Sequence, residues 1–159
     1  MRHVLRTLIL LSAVFALAAA LHAQAKPDFT GVWVFVPEKS DFGQMPAPAT
    51  MTRTITHKDP SLKVVTAQTG GPMGDTTVET AFTTDGKPQQ NNVQGSQMTT
   101  VGKWEGSAIV LHSSLTVQGT ALTIDDRYEL SDGGKTLTVM RSFTAPDGTA
   151  ATKIVMKKQ

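Results

Sequence analysis

The feature that most constrains the fold of this chain is an alternation of apolar and polar residues that stays in phase from one hairpin to the next. In segment 120–130, every second residue would lie on the same face of a strand, and most residues on that face are apolar. A four-residue loop at 132–135 then places Leu130 opposite Leu137 of the following segment. Directly opposed residues of antiparallel strands share a face, so a loop of different parity would set apolar residues against polar ones. The phase therefore predicts a hairpin with one dry and one wet face.

Three neighbouring hairpins keep the same phase. They would pair Phe143 with Ala150 across loop 145–148, Leu115 with Leu122 across loop 118–119, and Trp104 with Ile109 across loop 106–107. Each loop contains residues such as Gly, Asp, Pro or Ser that favour tight turns. Four consecutive hairpins in phase predict an antiparallel meander.

Short runs rich in Thr, Val, Ile and Leu extend this pattern over the chain after residue 25, with almost no helical periodicity. One long connection, Ser40–Thr50, carries Pro46 and Pro48. We expect an all-β fold in which an up-and-down meander of roughly eight to ten strands closes into a barrel, because closure leaves no exposed sheet edge. The predicted strands are Thr30–Val36, Met51–Lys58, Leu62–Gln68, Thr76–Thr83, Gln89–Val93, Gln97–Trp104, Ala108–Val117, Thr120–Leu130, Thr136–Phe143 and Thr149–Lys157.

The first 25 residues predict a cleaved secretory signal peptide. A basic start with Arg2 and Arg6 is followed by the apolar run Thr7–Leu21, and then by Ala23-Gln24-Ala25, the small residues that a signal peptidase recognises. A membrane-spanning helix would need about 20 apolar residues, and this run is shorter. We therefore expect a single domain over residues 26–159, located in the periplasm or outside the cell.

Charge and cysteine content narrow the classes of partner and site. The chain has 15 Lys and Arg against 13 Asp and Glu, and loss of Arg2 and Arg6 with the signal peptide would leave 13 of each. A neutral mature chain lacks the excess of cations that nucleic acid or an anionic membrane surface demands, so neither is an expected partner. The absence of cysteine excludes disulfides, thiol nucleophiles and thiolate metal sites.

The first predicted strand contains Phe29-Thr30-Gly31-Val32-Trp33, which resembles the Gly-x-Trp motif of lipocalins and fatty-acid-binding proteins. This resemblance implies a lipocalin-like (calycin) barrel with a ligand cavity, in which Trp33 plugs the base and Gly31 lets the backbone pass close to it. The chain lacks the Thr-Asp-Tyr signature, a closing helix and the Arg-x-Tyr pair with which fatty-acid-binding proteins hold a carboxylate. A group of small secreted bacterial lipocalin-like proteins is similar to the chain in segments Phe29–Gly43, Lys103–Gly106 and Asp132–Val139.

The hairpin phase also places polar residues on the dry face, and these are the candidate binding residues. Asp126 and Arg141 would lie directly opposite each other, with Tyr128 two positions from Asp126. On the second predicted strand, Arg53 and His57 share a face. An inward arginine needs a carboxylate, water or an anionic ligand, because a buried charge that loses its partner costs about 3–5 kcal/mol.

We therefore predict a cavity in which these five residues orient the polar or anionic end of a small, largely apolar ligand. Phe143 and Trp104 complete the candidate site, and Leu111, Leu122, Ile124 and Val139 would add to its apolar wall. The leading hypothesis is an exported, non-enzymatic binding protein. The alternatives are an internal ion pair with structural waters and no ligand, a structural or protein-interaction module of the cell envelope with a filled barrel, and an enzyme that uses Asp126, His57 or Tyr128 as acid or base.

Motifs for catalysis or metal binding are weak. Ser113, His57 and Asp126 could form a triad, but the chain has no Gly-x-Ser-x-Gly motif around a nucleophile. His112 is out of phase with Leu111, so we expect it to face solvent. The histidines and acids after residue 25 lack the convergent spacing of a metal site, and the Asp-Gly pairs are typical of hairpin turns. We therefore predict neither a metal nor a cofactor.

Overall fold

The computed structural model describes residues 26–71 and 74–159, so the predicted signal peptide at 1–25 lies outside the described residues. Most of the described chain lies in ten β-strands, and two short 3₁₀ turns occur at Pro37–Lys39 and Asp132–Gly134. Within this part of the chain, no helix has the length and hydropathy to cross a membrane. The strands are β1 (Gly31–Phe35), β2 (Thr50–Lys58), β3 (Ser61–Thr69), β4 (Thr76–Thr83), β5 (Asp85–Val93), β6 (Ser96–Glu105), β7 (Ala108–Val117), β8 (Thr120–Ser131), β9 (Thr136–Ala145) and β10 (Gly148–Lys158).

The ten strands form one antiparallel meander that is nearly closed into a barrel, with β1 paired to both β2 and β10. The predicted hairpin registers are confirmed: Leu130 lies opposite Leu137, Phe143 opposite Ala150, Leu115 opposite Leu122, and Trp104 opposite Ile109. Because these pairs are in phase, the apolar faces of successive strands share one interior, and the buried core lies there. The all-β barrel predicted from alternation is therefore confirmed.

One end of the barrel, the base, is plugged by aromatic side chains. Phe29 and Trp33 are both fully buried, and the Trp33 indole N–H donates to the Phe29 carbonyl at 3.0 Å. Gly31 lies between them with a φ of +152°, a conformation that favours glycine. The ring of Trp104 packs 6.1 Å from that of Phe29, measured between centroids. Trp33 thus occupies the place in the base that the Gly-x-Trp resemblance implies.

The barrel has a seam between β4 and β5, where the strand order is open. Asn91 on β5 spans this seam: its side-chain carbonyl accepts the Ala81 N–H at 2.7 Å, and its amide donates to the Ala81 carbonyl at 3.0 Å. The Thr83 hydroxyl adds a longer bond to the Lys87 carbonyl at 3.3 Å. A primary amide can donate and accept at once, as a backbone peptide does. Asn91 therefore substitutes for a backbone ladder at this point.

The opposite end, the mouth, is bordered by residues 70–71 and 74–75, by the turns at 94–95, 118–119 and 146–147, and by the long connection between β1 and β2. This connection pairs with β10 through the backbone of Asp41. The Asp41 carbonyl accepts the Lys153 N–H at 2.7 Å, and the Asp41 N–H donates to the Lys153 carbonyl at 2.8 Å. Phe42 then packs on Phe35 with ring centroids 5.8 Å apart. The connection rejoins the sheet where Ala49 donates to the Thr69 carbonyl at 2.8 Å. It therefore runs from β10 to β2 beside the mouth.

Candidate functional site

The interior between the base and the mouth holds a cavity of about 340 Å³. Small-molecule sites have volumes of about 300–1,000 Å³, so this interior is large enough for a ligand and is not a filled barrel. Charged and phenolic side chains lie deepest, and the walls above them rise to the mouth. The residues that line it are Met51, Arg53, Val64, Thr66, Gln68, Thr76, Val78, Thr80, Phe82, Val93, Gln94, Ser96, Met98, Ser113, Leu115, Val117, Leu122, Ile124, Asp126, Tyr128, Arg141 and Phe143.

Arg141 and Asp126 form a two-point ion pair in the deep part of the cavity. They are directly opposed on β9 and β8, as the hairpin phase predicts. The Arg141 Nε donates to Asp126 Oδ1 at 2.6 Å, and its second guanidinium nitrogen donates to Oδ2 at 2.7 Å. Burial would lower the pKa of Arg141, but the charge and hydrogen bonds of Asp126 outweigh this effect and raise that pKa above its ordinary value. This arginine is therefore neutralised by its own partner.

Arg53 is in a different electrostatic situation. It is 2% exposed, and none of the ion pairs among residues 26–71 and 74–159 includes it. Its guanidinium donates to the Tyr128 hydroxyl at 3.3 Å and lies 5.7 Å from the centroid of that ring. Its Nε is buried and has no hydrogen-bond partner in the described structure. With Arg141 balanced by Asp126, Arg53 leaves the deep part of the cavity with an excess of one positive charge.

Tyr128 is kept neutral by its surroundings. Burial raises the pKa of Tyr128, the charge of Asp126 raises it further, and Arg53 and Arg141 oppose the rise. Because the phenol oxygen accepts from Arg53, its own hydrogen remains available for a ligand atom. Arg53 and Tyr128 together thus present donors for an acceptor that carries negative charge.

Further hydroxyl groups lie close to this level. Thr152 lies opposite Arg141 on β10, as the phase predicts, and its buried hydroxyl has no hydrogen-bond partner in the described structure. Ser113 on β7 shares a 2.8 Å hydrogen bond with Thr100 on β6. Polar side chains therefore lie near this level on several strands.

Five of the seven predicted site residues, Arg53, Asp126, Tyr128, Arg141 and Phe143, line the cavity. The structure places the other two, His57 and Trp104, in the base. The ring of His57 accepts the Phe29 N–H through Nδ1 at 3.3 Å and packs 5.7 Å from the Trp104 ring. The Trp104 indole donates to Asp59 at 2.7 Å. These two side chains are inward-facing, as expected, but lie beneath the cavity. His112 is exposed on the outer wall, where it contacts Asp125 at 2.6 Å.

The wall opposite the predicted apolar one was not foreseen from the sequence. Met51, Thr66, Gln68 and Val78 lie on β2 to β4 and border the cavity. Alternation in their segments could have indicated their face, because each is in phase with a buried neighbour such as Val64. The predicted wall residues Leu122 and Ile124 do line the cavity, whereas Leu111 and Val139 are buried in the core.

A second concavity of about 570 Å³ lies outside the barrel. It is shallow and open, and hydroxyl-bearing residues such as Thr99, Ser114 and Thr123 line it on the outer faces of β6 to β8. Its larger volume reflects this openness, and it holds none of the predicted site residues. Binding sites are typically enclosed and largely apolar with a few converging polar groups, a description that fits the interior cavity. Among the described residues, no cluster of three His, Asp or Glu side chains could hold a metal ion.

Solved structures of similar fold include ligand-binding barrels. The zebrafish ileal bile acid-binding protein complexed with cholic acid is 14% identical, with a TM-score of 0.57 over 82% of this chain and 98% of that chain. The Schistosoma mansoni fatty acid binding protein in complex with arachidonic acid is 14% identical, with a TM-score of 0.53 over 85% of this chain and 98% of that chain.

A further similar structure is secretory abundant heat soluble protein 4 from Ramazzottius varieornatus, which is 16% identical, with a TM-score of 0.53 over 86% of this chain and 97% of that chain. No protein-family model and no curated protein sequence matches the chain. At these identities the likeness concerns the fold. The chain has the fold of calycin-type barrels.

Proposed function

We propose that this protein is a non-enzymatic carrier that binds a small, largely apolar molecule with an anionic end inside its barrel. The observation that carries the proposal is Arg53, a buried cation without a carboxylate partner in the described structure, on a cavity that opens at the mouth. A buried charge is costly unless it is paired and hydrogen-bonded. An anionic ligand group would supply the missing partner.

The cavity walls support an apolar body for this ligand. Leu115, Leu122, Ile124 and Phe143 line one side above Arg53 and Tyr128. Burying apolar surface contributes about 25 cal/mol per Å², so these walls favour a hydrocarbon body, while the deep charged groups favour a polar end that enters first. The ligand would therefore lie with its anionic group deep and its apolar body toward the mouth.

The similar solved structures support the same ligand class. The zebrafish protein was solved with cholic acid and the Schistosoma protein with arachidonic acid, and both molecules join a hydrocarbon body to one carboxylate. Arg53, the arginine in this proposal, lies on β2. Its position therefore differs from that of the Arg-x-Tyr pair with which fatty-acid-binding proteins hold a carboxylate, a pair that this sequence lacks near its C-terminus.

The proposal is tested by calorimetric titration of the protein with laurate and with dodecanol, which has the same chain without the charge. We expect laurate to bind more tightly, and Arg53→Met to weaken laurate binding by about 10–100-fold, the effect of losing one hydrogen-bonded charge contact. Dodecanol binding should change little. Arg127→Met is the matched control, because Arg127 lies on the outer wall and pairs with Glu105 and Glu129.

Two results would overturn the proposed function. One is that neither laurate, up to the concentration at which it forms micelles, nor cholic acid binds to the protein. The other is that Arg53→Met and Arg127→Met bind laurate as tightly as the unmodified protein does.

We also propose that the protein is exported and that its signal peptide is cleaved after Ala23 or after Ala25. The support is the basic, apolar and small-residue pattern that ends at Ala25. Expression of the whole chain in a Gram-negative host should give a periplasmic protein whose mass corresponds to a start at Gln24 or Lys26. Recovery of the intact 17.0 kDa chain from the cytosol would contradict this proposal.

A further inference from the structure

Above its charged floor, the cavity has two walls of different chemistry. On β3 and β4, the wall carries Thr66, Gln68, Thr76 and Thr80 beside aliphatic residues. On β7 to β9, the upper wall consists of Leu115, Val117, Leu122, Ile124 and Phe143, together with Ser113, whose hydroxyl is already hydrogen-bonded to Thr100. Of these two walls, the one on β3 and β4 thus carries the hydroxyl and amide groups that a ligand could reach.

The two walls face each other across the barrel. In the circular order of ten strands, β3 is five positions from β8 and β4 is five positions from β9, which is half of the circumference. Side chains that point inward from these strands therefore approach a ligand from opposite directions. A molecule between them would meet polar groups on one face and apolar groups on the other.

The polar groups of the β3–β4 wall are available to a ligand. All four residues are partly exposed to the cavity. Among the side-chain hydrogen bonds of the described residues, Thr80 alone of the four takes part, through a long bond of 3.4 Å to the Val64 carbonyl. The Thr66 and Thr76 hydroxyls and the Gln68 amide are therefore exposed to cavity solvent when no ligand is bound.

A straight alkyl chain would displace water from these groups without forming hydrogen bonds with them. A site that is built to hydrogen-bond hydroxyl groups discriminates against analogues without them, because its own polar groups are left without partners. A rigid molecule with hydroxyls on one face and hydrocarbon on the other would satisfy one wall and pack against the second. Rigidity also reduces the conformational entropy lost on binding.

We propose that the cavity selects a rigid, facially amphiphilic anion, hydroxylated on one face, over a straight-chain one. This inference rests on the proposed function, since it assumes that the anionic end is held by Arg53 and Tyr128. It adds that Thr66 and Gln68 determine specificity for the body of the ligand, whereas the acid end determines its orientation.

The test compares cholate, whose hydroxyls lie on one face of a rigid ring system, with lithocholate, which has fewer hydroxyls, and with laurate. In calorimetric titrations, cholate should bind at least about tenfold more tightly than laurate, with lithocholate between them. The double variant Thr66→Val/Gln68→Leu should weaken cholate binding by at least about tenfold and leave laurate binding unchanged or tighter, because it removes hydrogen-bonding groups without removing Arg53. Thr77→Val is the matched control, since Thr77 is exposed on β4 outside the cavity.

The outcomes separate the two proposals. Laurate binding that equals or exceeds cholate binding, together with a double variant that loses neither ligand, overturns the facial selectivity and leaves the proposed carrier function intact. Failure of all three compounds to bind overturns the carrier function itself. Retained laurate binding by the double variant also shows that it is folded, so a loss of cholate binding alone is a specificity effect.

Discussion

At the scale of single residues, the two inward arginines of the cavity have different roles. Arg141 is tied to Asp126 by two short hydrogen bonds, whereas Arg53 has only the Tyr128 hydroxyl as a partner in the described structure. A paired interior charge is part of the stability of the fold. An interior charge without a carboxylate is available to a ligand. Substitution of Arg141 should therefore mainly lower the stability of the fold, whereas substitution of Arg53 should mainly weaken ligand binding.

Arg141→Met should destabilise the protein by about 3–5 kcal/mol, because it leaves the carboxylate of Asp126 buried without its cation. Asp126 is 6% exposed. The double variant Asp126→Asn/Arg141→Met should recover part of this loss, since no charge is then stranded. Urea denaturation of the single and double variants measures the free energy of unfolding. Equal stabilities for the unmodified protein and Arg141→Met would contradict the structural role of the pair.

Arg53→Met should change the free energy of unfolding by less than about 1 kcal/mol, because it removes a buried charge together with one long hydrogen bond. The same urea experiment measures it, in the absence of ligand. A loss as large as that expected for Arg141→Met would show that Arg53 is a structural cation, with a partner that the described structure does not reveal.

Asp59 links stability to acid pH at the base. Hydrogen bonds from Thr84, from the Trp104 indole and from Lys26 lower the pKa of Asp59 from 3.8 to about 2. A carboxyl whose pKa is lower in the folded state contributes stability above its unfolded pKa and loses it as the pH falls through its folded pKa. The contribution should therefore decline between about pH 4 and pH 2.

Asp59→Asn should remove this part of the acid sensitivity, with a loss of no more than about 1 kcal/mol at neutral pH because Asp59 is partly solvent-exposed. Thermal unfolding between pH 2 and pH 6 measures it, with Asp147→Asn in an exposed mouth turn as the control. A pH profile for Asp59→Asn that is parallel to that of the unmodified protein would count against the assignment.

At the scale of structural elements, Asn91 makes the two shorter of the side-chain hydrogen bonds described above across the seam between β4 and β5. Asn91→Ala should destabilise the protein by about 1–3 kcal/mol, because the N–H and the carbonyl of Ala81 both lose their partner. Hydrogen exchange at the Ala81 amide should accelerate, and Gln90→Ala, at an exposed neighbouring position, should leave it unchanged. Unaltered exchange at Ala81 in Asn91→Ala would mean that the seam is held by other contacts.

The hairpins show which elements a sequence can specify. Leu130 opposite Leu137 and Asp126 opposite Arg141 followed from local phase, because an antiparallel register depends on the turn and on the two segments beside it. The seam between β4 and β5 did not follow from local phase, because its position depends on the stagger of the strands around the whole barrel. For the same reason, the direct hydrogen bond between Arg53 and Tyr128, 75 residues apart, could not be predicted, although both residues were assigned to the cavity. Whether a position is odd or even along a strand predicts which face of the sheet its side chain is on, as for His57 and Trp104. It does not predict how far the side chain lies between the base and the mouth.

At the scale of the whole molecule, charge is distributed unevenly along the barrel. In the described mouth segments 43–49, 70–71, 74–75, 94–95, 118–119 and 146–147, the charged residues are Asp75 and Asp147. The base carries a dense set that includes Lys26, Lys58, Asp59, Asp85, Lys87, Asp132, Lys135 and Lys158. An anionic ligand would therefore meet few charges at the mouth, and its attraction would come from Arg53 inside. The molecule is thus built as a plugged barrel with one open, weakly charged end.

The central claim is that the interior cavity, with Arg53 at its floor, is where an anionic amphiphile binds. Chemical-shift mapping by NMR during a laurate titration of the labelled protein tests it most directly. The claim predicts shifts at cavity residues such as Met51, Val64, Ile124 and Phe143, with the outer wall unchanged. Shifts confined to the outer concavity at Thr99, Ser114 and Thr123, with a silent interior, would contradict it.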